Sequence, residues 1–440
     1  MINNFTNIEI IILFIIFLAI LLPFRLIDKS NKLSIVNPLI IFSIIISYFT
    51  FISPVFRIFT NDTIDRGIDF RDLFIYGWVG SLVLIISTYI GYFSTNCKSF
   101  KKYRVCNLSS NQLWDIGFWI NNVGIFGYLL VAGISIAIFN PFMKLTGSFQ
   151  FFRYTGQFNN YLVFAQDFLI TGNILMISSF MRNKNKGLIT FTYLIITIGL
   201  YLNSGFRYKL LFLTFPIFLL YFLLKNLSPK IYFLYLSTGF ISFGLIYTII
   251  ERIRTYGSGF NLEKLDGYNI LDLFINIFKI GETSVFLTTS GLISIIPSEF
   301  PHVYFYPFYK VLIHPIPREF LDKNPGDYIN DALLALYQDR VQVVGAAMHN
   351  YGEYYLMFGW LGIIIGGYLL GVLMKKIWIW ILIHQDEEIA LPLYLLNISY
   401  LYIIISRGYL PQQFQLYAFA ILPITITYII NRKKIKTNKI

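Results

Sequence analysis

His349 and Glu353, within His349-Asn350-Tyr351-Gly352-Glu353-Tyr354-Tyr355, are the residues of this chain best suited by type and spacing to acid–base chemistry. An imidazole and a carboxylate four positions apart share one face of a helix. A glycine-studded apolar helix, residues 358–374, follows directly, so the pair sits where a long polar loop meets an apolar span. Ionisable groups at that depth are costly and tend to be kept for a purpose. Such a pair can serve as general base and hydrogen-bond partner to activate a hydroxyl. The plain alternative is a solvated helix start, with Glu353 near the positive end of the helix dipole.

Cations form the second set. Arg207 and Lys209 lie in the very short turn Asn203-Ser204-Gly205-Phe206-Arg207-Tyr208-Lys209 between two apolar runs. Arg252 and Arg254 open the longest loop, and Arg407 is the only charged residue of the turn Ser406-Arg407-Gly408. A guanidinium fork suits a phosphate or diphosphate. Interfacial anchoring of long basic side chains is the competing account. Asp115 and Asp167, at or inside apolar runs, each satisfy a neighbouring polar group on the simplest reading. Asp62, Asp65, Asp69 and Asp72 read as a solvated loop, with no metal-ligand spacing. No phosphate-cradling glycine loop, Ser–His–Asp set or zinc site stands out, so no metal or cofactor is expected.

The elements that must position these residues follow from composition. The chain has 440 residues, 56% of them hydrophobic and only 13% charged, with a mean hydropathy of +0.63. A soluble protein of that length cannot hide so much apolar surface, whereas a bilayer accepts runs of about 20 apolar residues. The expected class is an all-α integral membrane protein. Apolar runs suggest about eleven spans, near residues 8–24, 36–55, 73–93, 115–139, 161–181, 187–203, 208–225, 231–250, 354–374, 389–406 and 412–430. The formal net charge of +12 sits mostly in short loops, where it orients helices, and this argues against nucleic acid as a partner.

Alternate connections are the basic ones, from Arg25, Lys29 and Lys32 through Lys375 and Lys376 to the tail with Arg432, Lys433 and Lys434. By the positive-inside rule the N-terminus is outside and the C-terminus cytoplasmic. Residues 251–350 then form an extracytoplasmic loop, expected to lie as a lid within one polytopic domain covering residues 1–440. Within it, 269–280 and 327–338 read as amphipathic helices. Cys97 and Cys106 share a short basic loop and read as inert cytoplasmic thiols. Gly362 with Gly366, and Gly367 with Gly371, are small-xxx-small pairs that favour close helix packing.

Four motifs together resemble the bacterial oligosaccharide repeat-unit polymerases, the Wzy-type O-antigen and surface-polysaccharide polymerases. Ser204-Gly205-Phe206-Arg207 is similar to their short Gly-Ser-Arg outer turn, with a Phe before the arginine. Pro315-Ile316-Pro317-Arg318 followed by Lys323-Asn324-Pro325 resembles their Pro-Arg … Lys-Pro segment, with Asn324 interrupting the Lys-Pro pair. The run from Gly352-Glu353-Tyr354-Tyr355 to Phe358-Gly359-Trp360-Leu361-Gly362 and the pair Arg407-Gly408 complete the likeness, which covers the second half of the chain. The resemblance implies a GT-C-like, Wzy-type helical bundle in the bacterial inner membrane with its active site facing the periplasm. It implies a glycosyltransferase joining undecaprenyl-diphosphate-linked oligosaccharides, with a flippase and a chain-length regulator as partners. Glu353 and His349 would be catalytic, Arg207, Lys209, Arg252, Arg254, Arg318 and Arg407 would bind the diphosphate, and Tyr351 and Tyr355 would contact sugar. Two other classes share much of this pattern: an O-antigen ligase-type transferase, and a non-enzymatic flippase or transporter of lipid-linked oligosaccharide.

Overall fold

The computed structural model describes residues 5–28, 30–96, 104–132, 164–204, 207–225, 284–314, 328–337 and 347–434, with residues 162 and 316 and a scatter between 231 and 277. The described residues are predominantly helical. The first helices are α1 Asn7–Leu21, α2 Pro38–Ser47, α3 Ser53–Phe59, α4 Phe74–Ser94 and α5 Ser110–Ala132. Then come α6 Phe168–Asn183, α7 Gly187–Ser204, α8 Arg207–Lys225, α9 Val285–Ile295, α10 Tyr306–Ile313 and α11 Tyr328–Tyr337. The last are α12 Asn350–His384, α13 Ala390–Ser406, α14 Leu410–Ala420 and α15 Leu422–Ile430. Strands are minor: β1 Ile64–Asp65 pairs with β2 Ile68–Asp69, β3 Arg104–Cys106 with β6 Arg432–Lys434, and β4 Arg254–Thr255 with β5 Gly259–Phe260.

Among the described residues five helical stretches are long and apolar enough to cross a membrane: Asn7–Leu26, Lys32–Phe59, Arg71–Ser94, Tyr208–Lys225 and Asn350–His384. The pair α14 and α15, bent by 47°, makes a sixth if taken as one span. This is the pattern of an all-α membrane protein, and five or six of the eleven spans expected from apolar runs are met at full length among the described residues. Helices do occupy those runs wherever they are described. The helices α6, with 16 residues, and α13, with 17, stand near the lower end of membrane-crossing length. The run at 231–250 lies largely outside the described residues, as does the expected helix at 269–280.

The chain packs as two compact units: Met1–Ser99, Phe278–Ile379 and Leu401–Phe414 form one, and Phe100–Ile277, Trp380–Tyr400 and Gln415–Ile440 the other. In the first unit, α1 starts with a capping box. Thr6 Oγ1 accepts from the Glu9 amide at 3.3 Å while Glu9 Oε2 accepts from the Thr6 amide at 2.8 Å. Arg71 grips the same carboxylate at 2.6 and 2.9 Å, which neutralises an acid at the head of an apolar helix. A π-helical stretch, Tyr48–Ile52, separates α2 from α3, and the Thr50 carbonyl accepts from the Trp78 indole at 3.0 Å. The helix α9 differs from expectation. Residues Val285 to Ile293 are buried almost completely against α4, so this part of the presumed lid is core. At 11 residues it is too short for a crossing, which hides it from a search for spans.

The glycines behave as their spacing suggests. A Cβ on Gly371 would run into the Thr88 carbonyl oxygen, one on Gly367 into the Ser87 hydroxyl, and one on Gly91 into the Tyr368 carbonyl. The helices α4 and α12 therefore touch backbone to backbone. Gly362 and Gly366 serve a different contact: they accommodate the Tyr354 carbonyl and ring, respectively. In the second unit, α5 and α6 meet through Gly117 and Gly172. Asn173 Nδ2 donates to Thr197 Oγ1 at 2.8 Å and to Asn121 Oδ1 at 3.3 Å.

Gly371→Ala is expected to destabilise the protein by about 1–3 kcal/mol, because its new methyl meets backbone that cannot yield. Gly239→Ala, with nothing within 4 Å of the added carbon, serves as the control. Thermal unfolding in detergent reads both. Equal melting temperatures for the two variants would mean that α4 and α12 are not in close contact.

Candidate active site

The site is built on the first two turns of α12, which are not collinear with the rest. Phe358 (φ −139°, ψ 21°) and Gly359 (φ 61°, ψ −145°) leave helical geometry and break the helix. Gly359 occupies the left-handed region that a side chain disfavours. The amides of Val303 and Tyr304 donate to the carbonyls of Leu356 and Met357, at 3.0 and 3.2 Å, and satisfy groups that the break frees.

His349 caps this short segment and is fully buried. Its amide donates to Thr289 Oγ1 on α9 at 2.8 Å. Its ring stacks on Tyr351 at 5.2 Å and meets Phe49 edge-on at 5.4 Å. Nδ1 lies 3.0 Å from the Ile405 carbonyl oxygen. A carbonyl only accepts, so Nδ1 carries the proton and Nε2 presents its lone pair. Nε2 is buried and has no hydrogen-bond partner among the described residues. The same holds for Asn350 Nδ2, Tyr351 Oη and Ser406 Oγ. Burial pushes the imidazole down to about 4, so it is neutral at pH 7.

Glu353, one turn on, is 1% exposed. Its Oε1 accepts from the Tyr328 hydroxyl at 2.5 Å and from the Leu410 amide at 2.9 Å. These donors come from α11 and from the start of α14, so the carboxylate joins three elements. The turn carrying Arg407 is stitched to the same place. The Gly408 amide donates to the Met348 carbonyl at 2.6 Å. A side chain on Gly408 would collide with the His349 carbonyl and crowd Glu353 Cβ. The Arg407 amide donates to Ile403 O at 3.1 Å, and its carbonyl accepts from Gln413 Nε2. Glycine at 408 is what lets an arginine-bearing turn approach the helix start so closely.

The structure thus brings together His349, Glu353 and the Arg407 turn, which the sequence singled out separately. Other expected residues stand elsewhere. Tyr351 and Tyr355 are buried, Tyr351 with one ring face against His349 and Tyr355 with its hydroxyl donating to Ile296 O at 3.4 Å. Lys209 belongs to the second unit and is 1% exposed, with Nζ 2.7 Å from Asp167 Oδ1. Rather than standing at a membrane surface for a diphosphate, its ammonium is neutralised by the buried aspartate, which also supplies the partner that Asp167 needs. Arg207 is the first residue of α8 and Arg254 lies on β4; their side chains, and Arg252 and Arg318 entirely, fall outside the described residues. No group of three or more His, Cys, Asp or Glu is arranged to hold a metal among the described residues.

Tyr328 and Thr289 are the contributors that sequence reading missed. Tyr328 opens the amphipathic segment that becomes α11, but nothing distinguishes it among 32 tyrosines. Comparison with protein-family models, with curated proteins and with solved structures finds no match to this chain.

Removing the Tyr328 hydroxyl should cost stability only while Glu353 is there to use it. A double-mutant cycle of Tyr328→Phe and Glu353→Ala is expected to give a coupling of about 0.5–3 kcal/mol, and strict additivity would show the contact to be absent. For His349, an exposed imidazole titrates near 6.5 and the folded one near 4. Between those values the unfolded chain binds more protons, so stability falls as pH drops through that window. Melting temperature against pH should show the slope in the parent and a flatter profile in His349→Gln; superimposable profiles would assign the loss to other groups.

Proposed function

We propose that this chain is a glycosyltransferase that polymerises oligosaccharide repeat units carried on undecaprenyl diphosphate, at the periplasmic face of the bacterial cytoplasmic membrane. The observation that carries the reading is a buried carboxylate, Glu353, held by two donors beside a neutral imidazole with an open lone pair. Both stand on a helix broken just before a membrane-length segment and stitched to an arginine-bearing turn. That is the equipment for priming an alcohol while a diphosphate departs.

In the proposed reaction the bond between the anomeric carbon of the donor glycan and its diphosphate breaks, and the electron pair leaves with the diphosphate. A hydroxyl oxygen of the acceptor repeat unit bonds to that carbon, and its proton passes to Glu353. His349, neutral and protonated at Nδ1, accepts a hydrogen bond at Nε2 from a hydroxyl of the acceptor sugar. Arg407 supplies positive charge to the departing diphosphate, a preorganised electrostatic contribution. Arg207, Arg252, Arg254 and Arg318 join it on the strength of the motifs alone, as do the sugar contacts of Tyr351 and Tyr355. Both substrates carry lipid tails, so they reach the protein sideways through the bilayer, with a flippase delivering them and a chain-length regulator limiting the product.

Purified protein incubated with the lipid-linked repeat unit should give a ladder of products on a gel. Transfer of a single glycan to another acceptor would instead indicate a ligase. Glu353→Gln should abolish the ladder while the protein still reaches the membrane at normal level, and unchanged chain lengths would remove Glu353 from catalysis. Arg407→Ala is expected to slow product formation by about 10²–10³-fold, with Arg407→Lys in between because it keeps the charge but loses the fork.

A further inference from the structure

The short helix α10 carries an apolar face that no described part of the protein covers. Phe305, Phe308, Tyr309 and Leu312 are 70%, 50%, 50% and 75% exposed. They recur at i, i+3, i+4 and i+7, so they form one stripe along one side of the helix. Pro307 and Ile313 turn inward and are buried. Eight residues of helix reach about 12 Å, so α10 cannot cross a bilayer.

What covers the stripe follows from where α10 is attached. The residues leading into it, Val303 and Tyr304, bind the freed carbonyls at the break in α12. The Phe305 ring meets Phe358 at 4.9 Å, and the exposed Tyr304 ring meets it at 6.0 Å. Directly beyond the break, α12 exposes Trp360, Leu361, Ile365 and Leu369 along a helix long and apolar enough to span a membrane. The stripe on α10 therefore continues, through Phe358, an apolar flank that the length of α12 assigns to lipid. Its composition changes at that point from aliphatic to aromatic. Tyr304 and Tyr309 supply hydroxyls, and Lys310 Nζ lies 5.3 Å from the Tyr306 ring centre. Amphipathic rings and a lysine beside an apolar stripe suit the headgroup level of a bilayer.

We propose that α10 is an interfacial anchor whose Phe305, Phe308, Tyr309 and Leu312 stripe lies in the bilayer at the boundary between headgroups and acyl chains. Because the same segment holds the break in α12, the anchor sets the depth at which His349 and Glu353 stand relative to the membrane. The occupant is the bulk bilayer. This inference does not depend on the reaction assigned to the site.

The test uses the full chain with Cys97 and Cys106 replaced by Ala, carrying Leu312→Cys or Phe308→Cys labelled with a fluorophore. Both positions are well exposed, and the two reporters are independent should either variant fold poorly. Ser298→Cys, exposed but away from the stripe, is the aqueous control. Each protein goes into nanodiscs of phosphatidylcholine doped with lipids spin-labelled at defined depths, and is also titrated with a soluble nickel chelate. The stripe labels should be quenched by the shallow spin label, at a depth of about 5–10 Å below the headgroups, and protected from nickel, whereas Ser298→Cys should show the reverse. Quenching by nickel alone at both stripe positions overturns the proposal. So does lipid quenching that appears only after a polyprenyl diphosphate is added, which would assign the stripe to a substrate tail. Protection in discs holding two copies but not in discs holding one would assign it to a second chain, and equally overturns it.

Discussion

Where water is scarce, a backbone carbonyl released from a helix must find another donor, and the break at Phe358 and Gly359 releases carbonyls of the preceding turn. The amides of Val303 and Tyr304 take up Leu356 O and Met357 O. That pairing is the hinge of the first unit. It lets the eight residues from Asn350 to Met357 leave the axis of the long helix and fold back on it, so that Tyr354 packs on Gly362 and Gly366. An unbroken α12 would carry His349 and Glu353 along the axis of the span, away from Thr289, Ile405 and Leu410. His349 and Glu353 are therefore placed by backbone pairing more than by their own side-chain contacts.

Buried charge is partnered within the fold. Glu9 with Arg71, Arg57 with Asp62, and Asp167 with Lys209 are direct ion pairs. Each removes a cost that would otherwise bar the group from an apolar setting. At Glu353, Oε1 also accepts from a hydroxyl and an amide.

The parts legible in the sequence were those that depend on spacing and depth. The interval between His349 and Glu353, the glycines at 367 and 371, and the pairing of Arg407 with a glycine each mark a local geometry, and each is met in the fold. Partner identity was not legible. Lys209 looks like a surface cation until Asp167, far away in sequence, is seen against it. Tyr328 has no signature beyond its place at the head of an amphipathic segment. The helix α9 is apolar but short, so hydropathy does not reveal that it is core. Apolar runs mark where helices lie, while length decides which of them can cross, and among the described residues five or six are long enough.

The helix α11 ties these threads together, because it is fastened at both ends. Tyr328 at its start donates to Glu353, and Tyr337 at its end donates to Asp65 on the β1–β2 ribbon at 2.6 Å, with Arg66 5.3 Å from the same ring centre. Burial and the adjacent Asp65 carboxylate hold the Tyr337 hydroxyl well above its ordinary value, so it stays a donor. The acidic ribbon thus has a definite use, as the far mooring of the segment that covers the carboxylate. A displacement of α11 would take away the Tyr328 hydrogen bond to Glu353 Oε1 and the Tyr337 hydrogen bond to Asp65 together.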